Sequence, residues 1–156
     1  MTGLQDKVRR GGRLGLVLLL LSAAGAGAAA KAPRPDLVET TLSNPPATVP
    51  AGTRFRVSDV TRNRGRAKAR ASATAFYLQK DGGRTAVGFN NVSALKAGKA
   101  DLSTATVLVP LEADPGIYRL AACADSRHVV RESREGNNCR LAARPVQVSK
   151  PLPPPP

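Results

Sequence analysis

Residues able to do chemistry gather in the last third of the chain. Asp125, Glu132, Glu135, Asn137 and Asn138 offer side-chain oxygens close together in sequence. Such a set could ligate calcium, which takes about 6–8 oxygens, and the residues it would use are Asp125, Glu132 and Glu135. The same residue types also hold turns, because Asn and Asp bond their own backbone and an Asn pair suits a hairpin connection. The structural reading is the stronger one, so no metal and no cofactor is expected. His128 is the only histidine, with Ser126 close by. A Ser-His-Asp hydrolase also shows a nucleophile elbow or an oxyanion loop, and neither motif is evident. One histidine and two cysteines do not build the usual four-ligand zinc site. No enzymatic activity is expected.

The second constellation is cationic. Arg62, Arg64, Arg66, Lys68 and Arg70 alternate strictly, and Arg54 and Arg56 precede them in the same parity. On an extended chain they would project from one side, opposite Phe55 and Val57. Such a field attracts acidic polymers: teichoic acid, acidic polysaccharide, nucleic acid or anionic headgroups. A compositional origin competes with this. Ser58 and Val60 break the series, a turn at Asn63–Gly65 interrupts it, and Arg outnumbers Lys 17 to 7 in an Ala-rich chain, as a GC-rich genome would produce. No aromatic residue interleaves with the run, so base stacking and specific nucleic-acid recognition are not expected.

The amino terminus reads as an address. Lys7, Arg9, Arg10 and Arg13 precede the apolar run Leu14–Leu21, and small residues fill Ser22–Ala30. This is the three-part pattern of a secretory signal. The run is shorter than the roughly 20 residues that span a bilayer. The expected division is a signal over 1–30, a lead-in over 31–35, a folded domain over 36–149 and a Pro-rich tail over 150–156. Of the 24 basic and 11 acidic residues, the signal removes four and one, leaving 20 against 10 and a net charge of +10. No transmembrane segment is expected after cleavage. The location is secreted, extracellular or in the cell envelope, with release expected rather than wall attachment. In an oxidising compartment Cys123 and Cys139 pair.

The elements that must position these residues are short strands. Period-two alternation recurs between Gly, Pro, Asn and Asp punctuation, without sustained helical periodicity. Strands are expected at Leu37–Leu42, Thr53–Arg62, Ser72–Lys80, Thr85–Phe89, Leu102–Val109, Ile117–Ala124 and Arg140–Val148. Thr48–Val49 is expected on the other sheet, Asp81-Gly82-Gly83 as a hairpin turn, and Pro145 as an edge or bulge position. About seven such strands make an all-β antiparallel sandwich of the immunoglobulin-like kind. Asp114, Gly116 and Tyr118 carry the D-x-G-x-Y pattern of a tyrosine corner. Leu120 stands where antibody domains place the inter-sheet cysteine. Cys123 is an odd number of residues from Leu120 and so faces the opposite side. A bridge across the last hairpin is expected, not one through the core.

Pro35-Asp36-Leu37-Val38, Asn63-Arg64-Gly65, Tyr77-Leu78, Pro115-Gly116-Ile117-Tyr118 and, most specifically, Asp125, Val130, Glu132, Glu135, Asn137 and Asn138 form one pattern along the chain. On these residues the sequence from Pro35 to Val148 resembles the bacterial cell-adhesion-related domain, CARDB. It implies a seven-stranded immunoglobulin-like sandwich on secreted or surface proteins, without catalytic activity. The implied role is extracellular or cell-surface interaction with a protein or glycan that the sequence does not name. Asp59 departs from the pattern, because the family places an inward apolar residue there. A bulge near Ser58–Asp59, or a looser core, is expected.

Overall fold

The computed structural model describes residues 31–153; the signal-like segment 1–30 and the last three prolines of the tail lie outside them. Alternation along each segment decides which side chains turn inward. In β3 (Arg54–Asn63), Phe55, Val57, Asp59, Thr61 and Asn63 are buried while Arg54, Arg56 and Arg62 are exposed. The other strands are β1 (Leu37–Leu42), β2 (Thr48–Pro50), β4 (Ser72–Lys80), β5 (Gly83–Val92), β6 (Ala100–Leu108), β7 (Gly116–Cys123), β8 (Cys139–Leu141) and β9 (Val146–Ser149).

They form two sheets. The smaller has the order β1-β3-β6, and the larger β2-β9-β7-β4-β5, with β8 also paired to β7. All pairings are antiparallel except β2 with β9. Asn44-Pro45-Pro46 separates β1 from β2, since proline cannot donate to a ladder, and the chain passes there from one sheet to the other. The β4–β5 hairpin closes on Asp81 and Gly82, both at positive φ (51° and 81°), as a two-residue turn matched to strand twist requires. The result is an immunoglobulin-like antiparallel β-sandwich.

Three local expectations change. The register shift in the smaller sheet lies in β1 between Glu39 and Thr41, and β3 pairs with β6 without interruption through Ser58 and Asp59. The extra residue, Thr40, donates its hydroxyl to the Val60 carbonyl at 3.1 Å. Asp59 needs no bulge because Asn90 Nδ2 donates to it at 2.9 Å from the opposite sheet. The expected last strand is two strands, β8 and β9, interrupted over the residues around Pro145. β5 is longer than Thr85–Phe89, and a second register shift sits opposite Phe76–Tyr77.

The interior has two apolar parts. Phe55, Val57, Phe76, Leu78, Val107, Leu120, Val146 and Val148 belong to the larger. Leu37, Ala69, Val92, Leu95, Ala124 and Val130 form the smaller. Along β1, β3 and β4 the residues separating them are polar: Glu39, Asp59, Thr61 and Thr74, all buried. Thr61 and Thr74 donate to Glu39 Oε1 at 2.6 and 2.8 Å, so this belt ties the two sheets together. Glu39 Oε2 and Asp59 Oδ2 have no partner among the described residues. Burial, reinforced by the neighbouring carboxylates Asp59 and Asp101, raises the Glu39 pKa to about 7 against the two threonine bonds that lower it. Burial likewise raises Asp59 to about 6, although the Asn90 bond opposes the shift.

The folded state therefore holds protons that the unfolded chain releases near pH 4–4.5. The stability these groups contribute is complete below that range and is lost as pH rises toward 7. Glu39→Gln is expected to gain on the wild type by about 3 kcal/mol between pH 4.5 and 7.5. Urea unfolding of both proteins over that range checks it, and a constant difference contradicts a buried neutral carboxyl.

Candidate functional site

The motif residues from Asp125 to Asn138 come together in the loop between β7 and β8. Asp125 opens it at positive φ (44°), and its carboxylate accepts from the backbone N–H groups of Val129 and Val130 at 3.1 and 2.8 Å. Glu132 Oε2 accepts from the Leu37 N–H, and Oε1 accepts from Asn138 Nδ2 at 2.7 Å. Glu135 Oε1 accepts from the Glu132 N–H at 2.8 Å. Asn137 Nδ2 donates to Asp36 Oδ1 at 3.1 Å, and the Ser133 N–H donates to the Pro35 carbonyl at 2.8 Å. This loop is a clasp on the start of β1. Burial raises the Glu132 pKa, opposed by the bonds from Leu37 and Asn138. The three calcium candidates do share one loop, where protein N–H donors take both oxygens of Asp125 and of Glu132 and Oε1 of Glu135. No group of three or more His, Cys, Asp or Glu able to hold a metal is present among the described residues.

A second fastening sits on the far side of the same chain end. Asn63 is fully buried and makes four bonds. Oδ1 accepts from the N–H groups of Asp36 and Gly65, at 3.1 and 3.0 Å, and Nδ2 donates to the carbonyls of Ala67 and Leu95, at 2.8 and 3.0 Å. Gly65 is required because a Cβ there would fall onto the backbone of Arg34–Asp36. The N-x-G element thus anchors the lead-in and the following loop at once.

That loop carries most of the basic run. Only Arg62 is in β3; Arg64, Arg66, Lys68 and Arg70 follow the end of the strand. The series leaves the sheet at Asn63, where the turn that interrupts it lies. Exposure still alternates, because Ala69 pairs with Leu95 through both backbone groups and is buried between exposed Lys68 and Arg70. All five cations are exposed, and none makes an ion pair among the described residues. Positive charge is therefore concentrated at one end of the sandwich without internal compensation.

Cys123 and Cys139 are directly opposite in the β7–β8 ladder and are bonded, closing the clasp loop at its base. Leu120 and Ala122 point into the core, so the bridge lies on the outer face of the larger sheet. Tyr118 Oη donates to the Asp114 carbonyl at 3.0 Å, across Gly116. His128 lies 3.9 Å from Glu135, and both are exposed. Sequence reading missed the role of Glu39, which breaks no pattern in β1. Asp59 was visible as a polar residue at an inward position, but its partner Asn90 was not.

Two losses follow. Glu132→Ala or Asn63→Ala leaves buried backbone groups unpaired and is expected to cost roughly 3 kcal/mol in urea unfolding. An unchanged midpoint contradicts the clasp. Replacing both cysteines by alanine, at a sequence separation of 16, is expected to cost about 3 kcal/mol in the chain-entropy account, read as a lowered Tm that reductant no longer affects.

The CARDB family model matches residues 34–142. Among solved structures, the chain is similar to the CARDB domain of a Pyrococcus furiosus protein in complex with di-metal ions. Identity is 22%, coverage is 74% of this chain and 94% of that one, and the TM-score is 0.54. It is also similar to a domain assigned to a cell surface protein of Methanosarcina acetivorans, at 23% identity, 74% and 93% coverage and a TM-score of 0.54. At these identities the likeness is one of fold. No curated protein matches the sequence. Matched by the family model from the lead-in of β1 through β8, with its motif residues forming the clasp, this chain belongs to the CARDB family.

Proposed function

We propose that this chain is an exported, non-enzymatic module that binds a partner at or outside the cell surface through complementarity on a rigid sandwich. The Cys123–Cys139 bridge carries the reading, because such bonds persist in oxidising compartments. The signal-like pattern over 1–30 agrees with it, as does the cell-surface assignment of the Methanosarcina acetivorans relative. No helix among the described residues is long and apolar enough to cross a membrane. Asp125, Glu132, Glu135, Asn137 and Asn138 all make internal bonds, although Asn137 Oδ1 and Asn138 Oδ1 are buried without a partner among the described residues; this supports recognition by the exposed surface rather than by the motif. The di-metal ions are a property of the Pyrococcus furiosus domain. Here N–H donors take both oxygens of Asp125 and of Glu132 and one of Glu135, which leaves too few free carboxylate oxygens to fit such a group.

A second reading rests on the uncompensated cations at Arg62–Arg70: an envelope protein that holds acidic polymers by charge. One experiment separates the two. The exported protein and a variant with Arg62, Arg64, Arg66, Lys68 and Arg70 changed to Gln are bound to envelope fractions, teichoic acid, heparin and DNA over a salt series. The leading reading expects envelope binding that survives high salt and persists in the variant. The charge reading expects affinity that falls steeply, by about 10³-fold between 50 and 200 mM salt for six or more neutralised phosphates, and vanishes in the variant. Intact mass checks the compartment: one disulfide, no free thiol and loss of about the first thirty residues are expected. An uncleaved protein with two alkylatable thiols overturns export.

A further inference from the structure

Exposed apolar side chains lie on the outer face of the larger sheet, which borders the clasp loop beside the disulfide. By register, Tyr77 and Ala75 of β4 stand between Ala86 and Phe89 of β5 and Ala121 and Cys123 of β7. Leu141 of β8 is opposite Ala121, and Ile117 shares the face further along β7. Phe89, Ile117 and Leu141 are 63%, 65% and 41% exposed. Between them, Ala75, Ala121 and Cys123 are buried.

Two concavities lie on this face and share Arg84 as a wall. One, of about 430 Å³, runs from the β4–β5 turn to Ile117 and Arg119. The other, of about 240 Å³, runs from Tyr77 to the disulfide and the clasp loop. The Arg84 guanidinium lies over the Tyr77 ring, 4.6 Å from its centroid, and neither Arg84 nor Arg119 makes an ion pair among the described residues. Arg beside Tyr and Phe is the composition of protein-binding hot spots.

We propose that this face docks an acidic, apolar polypeptide segment of a partner protein, with Phe89, Ile117 and Leu141 receiving its apolar side chains and Arg84 and Arg119 its carboxylates. The proposal rests on the binding-module reading and gives it a surface and a partner chemistry. Charge decides against a second copy, since a chain of net charge +10 after residue 30 would set arginine against arginine. The covered Tyr77 ring and the aliphatic Ile117 and Leu141 suit a polypeptide better than a sugar ring.

The test titrates the ¹⁵N-labelled protein with three synthetic peptides, alternating Glu-Leu, Glu-Ser and Lys-Leu, and with heparin. The Glu-Leu peptide is expected to shift the amides around Tyr77, Phe89 and Ala121, and to bind about 10-fold or more tightly than the other two peptides. Arg84→Glu with Arg119→Glu is expected to reverse the preference toward Lys-Leu, and Phe89→Ser to weaken Glu-Leu; the same spectra report folding. Shifts confined to residues 62–70, equal binding of Glu-Ser and Glu-Leu, a preference for heparin at this face, or no shift at about 1 mM peptide overturns the proposal. Envelope binding of the same variants separates the two readings. Equal binding by wild type and the charge reversal removes this face while the module reading stands. Absence of envelope binding by wild type removes the module reading itself.

Discussion

The fold depends on how the first residues of β1 are held. β1 is an edge strand, paired only to β3, and an edge presents backbone groups with no strand to satisfy them. Here a loop from the far end of the chain supplies the partners. Glu132 takes the Leu37 N–H across a sequence separation of 95, Ser133 reaches Pro35, and Asn137 reaches Asp36. Asn63 meets the same segment from the other side. Leu37 and Val130 can be buried together because their neighbours' polar groups are paired. The motif that marks the family is thus a set of hydrogen-bonding groups that convert an exposed edge into part of the interior.

The disulfide and the clasp support one another. Cys123 and Cys139 bracket the loop that carries Asp125, Glu132, Glu135, Asn137 and Asn138. Pinning the loop's ends lowers the entropy lost when its side chains are fixed against β1. Asp125 and His128 both sit at positive φ, where ordinary residues are disfavoured. Those conformations persist because Asp125 caps the turn with both carboxylate oxygens. A rigid sandwich with such a loop is a suitable platform for recognition, since little conformational freedom is left to lose on binding.

The polar belt inside the sandwich is the other constraint. Glu39, Thr61, Thr74, Asp59 and Asn90 cross from sheet to sheet between the two apolar clusters. Burying carboxylates is costly unless they are paired or neutral, and the raised pKa of Glu39 and Asp59 keeps them partly neutral near pH 6. Outside, the cations of the 62–70 segment make no ion pair among the described residues. The cationic loop follows β3, and the arginine-flanked apolar face is built by β4, β5, β7 and β8.

Period-two alternation and turn chemistry determined the strands, because both are local: the inward series Phe55, Val57, Thr61, the Asp81–Gly82 turn and the opposite facing of Leu120 and Cys123 follow from backbone geometry alone. The family could be read for the same reason, since its motif lies in one contiguous stretch. Tertiary structure decided everything that needs a partner from elsewhere. Thr40, not Ser58–Asp59, carries the bulge, because register answers to the neighbouring strand. Asp59 is tolerated inside through Asn90, thirty-one positions away. The basic run keeps its alternation but leaves the sheet at Asn63, since pairing between Ala69 and Leu95 imitates a strand's pattern in a loop. The apolar face joins Tyr77, Phe89, Ile117 and Leu141 from four strands, and strand order, which no local pattern encodes, is what brings them together.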